Sequence, residues 1–435
     1  MKEMPEKFVI CGKKKLEGLV SVSGGKNAAA PILAATLLTG EPCIIDNLPL
    51  IEDVFKMLKL LESLGADIEW LDKRKVRIIA ADVSAENINL DLISQTRMSV
   101  LLIGPLLARL KKFQFQPPGG DKIIGSARIK GGIKMGLRPI TTHLEALEKL
   151  GVQISRQENT YFFDSQNVKP KEVVLMEFSV TATENLMMLA AGLPGKTIIK
   201  AAACEPHIQA LSKMLQDMGA EITGIGTHTL EIEGKNNLKG AEHIIIPDYL
   251  EAGTFMIAGA LTPGILEIEN FPFNDLDIFL AKMEETGVKF QKTANSLKVD
   301  FSPELDAVRI QALPHPGFPT DLLPIIIPLL TQAKGRSLIH DPLYENRLNF
   351  LQELRKMGAD IEIVDSHRAF IFGKTPIFGI NISSWDIRAG ASLLVAGLAA
   401  EGQTTLENVY QIDRGYEKID EKLRKVGASI KRIKD

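Results

Sequence analysis

A lysine and an amide directly follow two glycines in the segment Ser23-Gly24-Gly25-Lys26-Asn27, just ahead of the apolar run AAAPILAATLL. The glycines allow a tight backbone turn, and the apolar run is typical of a buried helix. The N-terminus of a helix has unpaired N–H groups and a partial positive charge, so it attracts phosphates and carboxylates. Lys26 is therefore a candidate anion-binding group, although a lysine here could also be an ordinary surface residue that starts a helix.

A carboxylate stands ahead of another apolar run, in the phrase PHPGFPTD that ends at Asp321. Two interpretations are open for this residue. It could accept a proton as a general base, or it could simply cap the following helix, because Thr-Asp before an apolar run is a favourable cap.

The elements that position these residues recur along the chain. A five-residue phrase (apolar residue or once Thr, Gly, small or β-branched residue, polar residue, apolar residue) occurs six times, each time after an amphipathic helix. Its glycines are spaced 86, 68, 68, 71 and 69 residues apart, which indicates a repeated supersecondary unit. Glycine at this point fits a left-handed helix C-cap before a strand. The six glycines are Gly65, Gly151, Gly219, Gly287, Gly358 and Gly427.

Each repeat also contains an almost wholly apolar segment, which predicts a buried helix, whereas the helix before each glycine has one apolar stripe and predicts an outer helix. Short β-rich pieces connect the two. Each repeat is thus a βαββαβ-type unit, and six units predict an α/β protein with two domains of three repeats. The apolar segments begin near Gly24, Thr96, Thr181, Leu250, Pro319 and Ile387.

Composition excludes several classes of protein. With 45% apolar residues, 24% charged residues and a net charge of −3, the chain lacks the basic excess of a nucleic-acid binder. Its three cysteines form neither a disulfide framework nor a metal motif. No signal-peptide pattern and no apolar stretch of membrane-spanning length are present, so we expect a cytoplasmic protein without metal, nucleic acid or membrane.

The segment at Lys26 resembles the start of the enolpyruvyl transferase family, in particular its UDP-N-acetylglucosamine branch. Matches extend over essentially the full chain. PHPGFPTD and DRGYE at 413–417 are the most specific, because the shikimate-pathway branch lacks them in this form. The other matching phrases include TRMSV at 96–100, GLRP at 136–139, SVTATEN at 179–185, ENR at 345–347 and DIR at 386–388.

The resemblance implies a two-domain inside-out α/β barrel, with three repeats and buried central helices in each domain. We expect an N-terminal domain of residues 23–246 and a C-terminal domain of residues 1–22 plus 247–435. The chain would then cross between them near 20–24 and 243–248. The helix N-termini of each domain are expected to face the other domain.

The resemblance also implies transfer of the enolpyruvyl group of phosphoenolpyruvate to the 3-hydroxyl of UDP-N-acetylglucosamine, with release of phosphate. This is the first committed step of peptidoglycan synthesis, and it implies two small-molecule substrates, no cofactor and no protein partner. By resemblance, the catalytic residues are Lys26, Arg414 and Asp321, and Asp321 is the general base. Substrate-binding roles fall on Asn27, Arg97, Arg138, Pro139, Ser179, Val180, Thr183, Arg347 and Arg388.

One loop departs from the family pattern, which has a cysteine shortly before Gly-x-Arg-Pro. This chain has PPGGDKIIGSARIKGGIKMGLRP, about a dozen residues longer and without cysteine. Aligned on PPGGD, Asp121 takes the cysteine's place and could donate a proton if its pKa were raised. Aligned on GGIKMGLRP, Ile133 takes that place and leaves no acid, in which case Lys26 is the remaining donor.

Three further departures, Thr181, Cys204 and Tyr249, fall on the nucleotide side of the site that the resemblance implies. They leave two alternatives open. The acceptor could be another phosphorylated compound or nucleotide, or the protein could bind a UDP-sugar with weakened catalysis.

Overall fold

The computed structural model describes residues 6–118, 123–129, 132–136, 140–345 and 347–434, with the backbone alone for 123–129 and 132–136. By internal contacts the chain divides into two compact units. Gly24–Ile246 forms one, here called the N-terminal unit, and Met1–Ser23 with Pro247–Asp435 forms the other, the C-terminal unit.

The α-helices among the described residues are numbered in chain order. They are α1 Lys26–Ala35, α2 Glu52–Ser63, α3 Leu90–Ile93, α4 Ile103–Leu110, α5 Thr141–Leu150, α6 Val180–Ala191, α7 Pro206–Asp217, α8 Tyr249–Leu261, α9 Asp277–Glu285, α10 Leu323–Leu330, α11 Leu351–Lys356, α12 Ile387–Ala399, α13 Tyr410–Asp413 and α14 Ile419–Lys425.

The strands are numbered in the same way. They are β1 Glu6–Cys11, β2 Gly18–Ser21, β3 Cys43–Asp46, β4 Asp67–Asp72, β5 Lys75–Ile79, β6 Lys112–Phe115, β7 Ile123–Ile129, β8 Gly132–Gly136, β9 Gln153–Gln157, β10 Thr160–Asp164, β11 Glu172–Val174, β12 Gly195–Lys200, β13 Glu221–Thr223, β14 Thr229–Gly234, β15 Glu242–Ile244, β16 Ile265–Glu269, β17 Phe290–Lys292, β18 Ser296–Asp300, β19 Leu305–Asp306, β20 Arg309–Gln311, β21 Ala333–His340, β22 Asp360–Ile363, β23 Arg368–Gly373, β24 Asn381–Ser383, β25 Gln403–Glu407 and β26 Ser429–Lys434.

The N-terminal unit has three sheets of order β15-β3-β5-β4, β6-β10-β9 and β11-β12-β14-β13, and a hairpin of β7 and β8. Its buried helices are α1, α4 and α6, and α4 packs on α6. Of these, α4 also contacts β6, and α6 contacts β12 and β14, so the helices lie inside the sheets.

The C-terminal unit repeats this plan with sheets of order β24-β25-β1-β26, β17-β18-β16-β2 and β19-β21-β23-β22, where β20 also pairs with β21. Its buried helices α8, α10 and α12 contact one another, and each packs on a different sheet. Placing the helices inside and the sheets outside explains why the helices are apolar on all faces. The predicted α/β architecture of repeated units with buried central helices is confirmed.

The six repeat glycines all end outer helices in the left-handed region, with φ between 89° and 111°. A residue with a Cβ is strained in that region, and this explains why glycine recurs there. The strand predicted after each glycine is present in all six repeats.

Two of the predicted inner helices begin later than their apolar segments. In the second repeat a 3₁₀ helix covers Arg97–Leu102 before α4 begins, and in the fifth repeat α10 begins only at Leu323. Pro105 and Pro324 fall in the first turns of α4 and α10, where proline is tolerated because its missing N–H would have no partner there. Asp321 therefore lies ahead of the helix rather than in it.

The second repeat also differs in its strands. Five sheets have a parallel pair of strands at an edge, but β6-β10-β9 has none among the described residues. The segment before its inner helix forms a 3₁₀ turn, Ala85–Asn87, capped by the Ser84 side chain. Among the described residues, no helix combines the length and hydropathy needed to cross a membrane.

Candidate active site

Lys26 is the first residue of α1, and its position is set by the glycines before it. A Cβ on Gly24 would lie 2.0 Å from the backbone oxygen of Asn47, so no other residue fits there. The Lys26 ammonium nitrogen is 2.6 Å from a carboxylate oxygen of Asp53 on α2, and only 17% and 2% of these side chains are exposed. The N-terminal unit therefore presents a largely buried, charge-paired lysine at a helix start, where an anion is favoured.

Asp53 was not identified as a site residue from the sequence. It lies 27 residues after Lys26, in the first turn of an outer helix, and acidic residues are common there because they favour helix starts. Its near-complete burial is the property that separates it from such a residue, and burial could not be read from the sequence alone.

Asn27 and Arg97 lie near Lys26 in the fold. Asn27 follows it in the first turn of α1, Arg97 starts the 3₁₀ helix that contacts α1, and both are half-buried. Thr96 caps this 3₁₀ helix by accepting a hydrogen bond from the N–H of Met98. The structure thus brings these candidates to the starts of two neighbouring inner helices.

Ser179, Val180 and Thr183 form the start of α6, the third inner helix. Ser179 caps the helix and, like Val180, is half-buried. The Thr183 hydroxyl donates to the Ser179 carbonyl at 2.8 Å and accepts the N–H of Ala203 at 3.0 Å. Thr183 thus anchors the helix start, and its contact with a ligand stays a prediction.

Thr181, one of the departures from the family pattern, lies in the same turn and contacts His143 of α5. The Nε2 atom of His143 is 2.6 Å from the Thr181 hydroxyl oxygen. Thr142, the residue before His143, donates a hydrogen bond from its hydroxyl to the Glu177 carboxylate at 2.6 Å. The start of α5 is therefore tied to the residues on both sides of the α6 cap.

Cys204, the second departure, is a buried free thiol. Burial, followed by the charge of Glu205, raises the pKa of its thiol to about 11. The ring of His228 lies beside it, with Nε2 at 4.0 Å from the sulfur, and packs on Phe178 with 4.5 Å between ring centroids. Cys204 thus lies near an imidazole ring and the acidic Glu205.

Asp321 lies between two arginines in the C-terminal unit. One of its oxygens is 3.0 Å from Nη1 of Arg347 and also accepts a hydrogen bond from Nε of Arg388, while Nη2 of Arg388 is 2.8 Å from the other oxygen. The α10 helix begins without a side-chain cap. The helix-cap interpretation of Asp321 is therefore wrong, and its carboxylate instead belongs to a buried charged cluster.

The two arginines differ in environment although they share this carboxylate. Burial lowers the pKa of Arg347, and the neighbouring charge of Arg388 adds to the effect. Burial also opposes the charge of Arg388, but attraction and hydrogen bonding by Asp321 outweigh it and raise the pKa of Arg388. Arg388 is the second residue of α12, whose N-cap Asp386 accepts its N–H at 2.7 Å.

Arg414 is oriented by the phrase DRGYE that contains it. On one side Asp413 forms a two-point ion pair with Arg432, with both contacts at 2.7 Å. On the other side the Tyr416 hydroxyl is 2.9 Å from that of Thr254, and burial raises the pKa of Tyr416. Arg414 between them is 8% exposed, and Gln411 accepts a hydrogen bond from its Nη1 at 2.9 Å.

Three candidates, Asp121, Arg138 and Pro139, lie outside the described residues. Ile133, which takes the cysteine's place in the second alignment, falls on β8, whose backbone alone is described. The identity of the proton donor stays a prediction from sequence.

The chain matches known proteins over nearly its whole length. Residues 10–423 match the family model of EPSP synthase (3-phosphoshikimate 1-carboxyvinyltransferase). A UDP-N-acetylglucosamine 1-carboxyvinyltransferase of Koribacter versatilis is 42% identical over 98% of this chain and 96% of its own. One from Caldanaerobacter subterraneus is 41% identical over 99% of this chain and the whole of its own.

Among solved structures, the enolpyruvyl transferase NikO from Streptomyces tendae has a TM-score of 0.88 at 23% identity, covering 99% of this chain and 100% of its own. EPSP synthase from Acinetobacter baumannii has a TM-score of 0.74 at 18% identity, covering 98% and 99%. At these identities the likeness shows the fold. Together with the full-length match of the family model and the close relatives, it shows that the chain belongs to the EPSP synthase family of carboxyvinyl (enolpyruvyl) transferases.

Proposed function

We propose that the protein transfers the enolpyruvyl group of phosphoenolpyruvate to the 3-hydroxyl of UDP-N-acetylglucosamine and releases inorganic phosphate. The observation that carries the proposal is the Asp321 carboxylate, held ahead of α10 by Arg347 and Arg388. A general base must be ionised and fixed in orientation before the acceptor binds, and these two guanidiniums favour both. The relatives that match over nearly the full chain carry the name of this activity.

The reaction follows by addition and elimination. A general acid protonates the methylene carbon of phosphoenolpyruvate, and the acceptor oxygen attacks C2 while Asp321 takes the hydroxyl proton. The product is a tetrahedral ketal that still carries the phosphate. Loss of a proton from the new methyl group and departure of phosphate restore the double bond, now in an enolpyruvyl ether.

Several anionic groups must be bound during these steps. Phosphoenolpyruvate has a phosphate and a carboxylate, and the acceptor has a diphosphate, so lysine and arginine are the expected partners. We assign phosphoenolpyruvate to Lys26, Arg138 and Arg414. Asn27, Ser179, Val180 and Thr183 are assigned to the acceptor, and Arg97, Pro139, Arg347 and Arg388 to substrate binding in general.

Asp121 is the proposed proton donor. It occupies the position of the family cysteine in the first alignment, and as a carboxylic acid it needs a raised pKa to hold a proton at neutral pH. Lys26 is the alternative, because it is a charge-paired ammonium at a helix start. We place the reaction in the cytoplasm, where both substrates are available, as the first committed step of peptidoglycan synthesis.

The test is release of phosphate from phosphoenolpyruvate with UDP-N-acetylglucosamine, with shikimate 3-phosphate or with no acceptor. We expect release with the UDP-sugar only, its loss in Lys26→Ala, and a large decrease in Asp121→Asn. Release with shikimate 3-phosphate alone would contradict the proposed acceptor. No release with any acceptor, by a folded protein that binds the UDP-sugar, would favour the weakened UDP-sugar-binding homologue.

A further inference from the structure

Asp341, the residue directly after β21, is a buried carboxylate to which the reaction above gives no role. Its exposed fraction is 0%, and one of its oxygens accepts the N–H groups of Leu343 and Tyr344 at 3.0 and 3.2 Å. A buried carboxylate is costly unless it has partners. The hydrogen bonds fix the turn that follows β21.

The other oxygen of Asp341 connects it to the active-site residues. It accepts the hydroxyl proton of Thr320 at 2.9 Å and lies 3.7 Å from Nε of Arg347. The Thr320 hydroxyl in turn accepts a hydrogen bond from Nη1 of Arg347 at 2.5 Å. Asp341, Thr320 and Arg347 thus form a closed ring of polar contacts.

A third contact orients Arg347 from the side. The guanidinium carbon of Arg347 lies 4.0 Å from the centre of the Tyr344 ring, and the backbone N–H of Tyr344 is one of those that Asp341 holds. Asp341 thereby restricts the orientation of the Arg347 guanidinium in three ways. It contacts the guanidinium itself, it holds the Thr320 hydroxyl, and it holds the backbone of Tyr344. Its Nη1 atom is the one that contacts Asp321.

We propose that Asp341 is the positioning residue of this site, because it fixes Arg347 and the Thr320–Asp321 backbone so that the Asp321 carboxylate can act as the base. The proposal rests on the proposed function. It assigns Asp341 no contact with substrate, and its effect reaches the reaction through Thr320 and Arg347.

Charge gives the proposal a distinctive consequence. Two carboxylates, Asp321 and Asp341, and two guanidiniums, Arg347 and Arg388, share the cluster and balance one another. Among the described residues, the other titratable groups that interact with the cluster include Tyr344, Asp386, Tyr416 and His367, whose Nδ1 lies 2.7 Å from the backbone oxygen of Asp341. If Asp341 becomes neutral, the cluster gains one net positive charge, which stabilises the ionised form of Asp321.

The sign of the effect on the reaction follows. A more stable Asp321 carboxylate has a lower pKa and is a weaker base. The acid limb of the pH profile of kcat/KM, where activity rises as the base ionises, should therefore move to lower pH. The plateau should fall at the same time, because a weaker and less well-oriented base removes the proton less effectively.

The experiment compares Asp341→Asn, Thr320→Val and Glu285→Gln with the unmodified protein, by pH profiles of phosphate release at saturating and limiting UDP-N-acetylglucosamine. For Asp341→Asn we expect the acid limb of the kcat/KM profile to shift to lower pH by about 0.5 unit or more. We also expect kcat to decrease by about tenfold. Thr320→Val breaks the ring without changing its charge, so kcat should fall while the acid limb stays. Glu285→Gln removes an exposed carboxylate that pairs with Lys282 and should change neither.

An Asp341→Asn variant that folds with an unmoved acid limb and unchanged kcat would overturn the proposal. A crystal structure of the variant provides a readout that needs no activity. If the unmodified protein releases no phosphate, the proposed function fails. The positioning claim is then decided by that structure: displaced contacts from Arg347 to Thr320 and Asp321 support it, and their retention overturns it.

Discussion

At the scale of single residues, the Lys26–Asp53 pair illustrates how the chain keeps a charge available at a helix start. Asp53 is almost fully buried, so its charge depends on the lysine, whereas Lys26 keeps some contact with solvent. A buried charge that loses a paired counter-charge destabilises a protein by several kcal/mol. Stability and catalysis at this position can therefore be separated.

We expect Lys26→Ala to lower the free energy of unfolding by about 3 kcal/mol and to abolish phosphate release, because Asp53 loses its counter-charge. The double variant Lys26→Ala with Asp53→Asn should regain most of the stability and none of the activity. Thermal unfolding and phosphate release measure the two effects. Equal instability of the single and double variants would show that the pair does not govern stability.

Glu184 on α6 gives a pH dependence. Burial, and then the charge of Glu205, raise its pKa well above the ordinary value of 4.5. Above that pH the unfolded carboxyl is ionised while the folded one keeps its proton, so stability falls as pH rises, by about 1.4 kcal/mol per pH unit through this window.

The Glu184→Gln variant should therefore be more stable than the unmodified protein at pH 8, with a smaller difference at pH 5. Thermal unfolding at both pH values checks this. The control is Glu172→Gln, an exposed glutamate paired with Lys200, which should show little change. Equal destabilisation of Glu184→Gln at both pH values would contradict the pKa assignment.

Part of the site could be predicted from motifs and part could not. Lys26, Asp321 and the arginines stand in phrases that carry the family resemblance. Asp53 and Asp341 do not, because their roles arise from contacts with Lys26 and Thr320, which lie 27 and 21 residues away. Whether Asp321 caps α10 depends on where that helix begins, and its start at Leu323 could not be read from the apolar run.

At the scale of elements, the repeat glycines predicted the ends of all six outer helices, because a left-handed C-cap has a clear sequence signal. Starts of the inner helices were harder to predict. An apolar run indicates that a helix is buried, but it does not mark the residue at which regular α hydrogen bonding begins, as the 3₁₀ helix Arg97–Leu102 ahead of α4 shows. The sequence also did not indicate the 3₁₀ turn Ala85–Asn87, which stands where the described residues of the other repeats form a parallel edge strand.

The glycine that precedes α1 offers a test at this scale. Gly24→Ala would place a Cβ 2.0 Å from the Asn47 carbonyl oxygen, whereas at Gly40 the nearest atom would be 3.4 Å away. We expect Gly24→Ala to destabilise the N-terminal unit by about 2–4 kcal/mol and Gly40→Ala to have little effect. Chemical denaturation measures both, and similar midpoints for the two variants would contradict the close approach.

At the scale of the whole molecule, the first strands of the chain belong to the C-terminal unit. Strand β1 lies between β25 and β26 in their sheet, and β2 pairs with β16. The repeat pattern predicted the two-part α/β fold because every repeat buries its apolar helix among its neighbours. It did not by itself assign residues 1–22, which carry no repeat glycine.

Phe8 of β1 has an exposed fraction of 0% and packs in the core of the C-terminal unit. Phe8→Ala should lower stability by about 3–5 kcal/mol. In this variant, hydrogen exchange followed by mass spectrometry should show faster exchange in 247–435 and unchanged exchange in 24–246. The control is Lys7→Ala, at a half-buried position on the same strand, which should change the exchange of both regions little. Faster exchange confined to 24–246 would contradict this assignment.

The most direct test of the central claim is to identify the product formed from phosphoenolpyruvate and UDP-N-acetylglucosamine, by mass spectrometry and NMR. The account predicts a UDP-sugar with an enolpyruvyl ether at its 3-oxygen, formed together with one equivalent of inorganic phosphate and absent in the Asp321→Asn variant. An unchanged UDP-sugar after prolonged incubation with a folded protein that binds it would contradict the account.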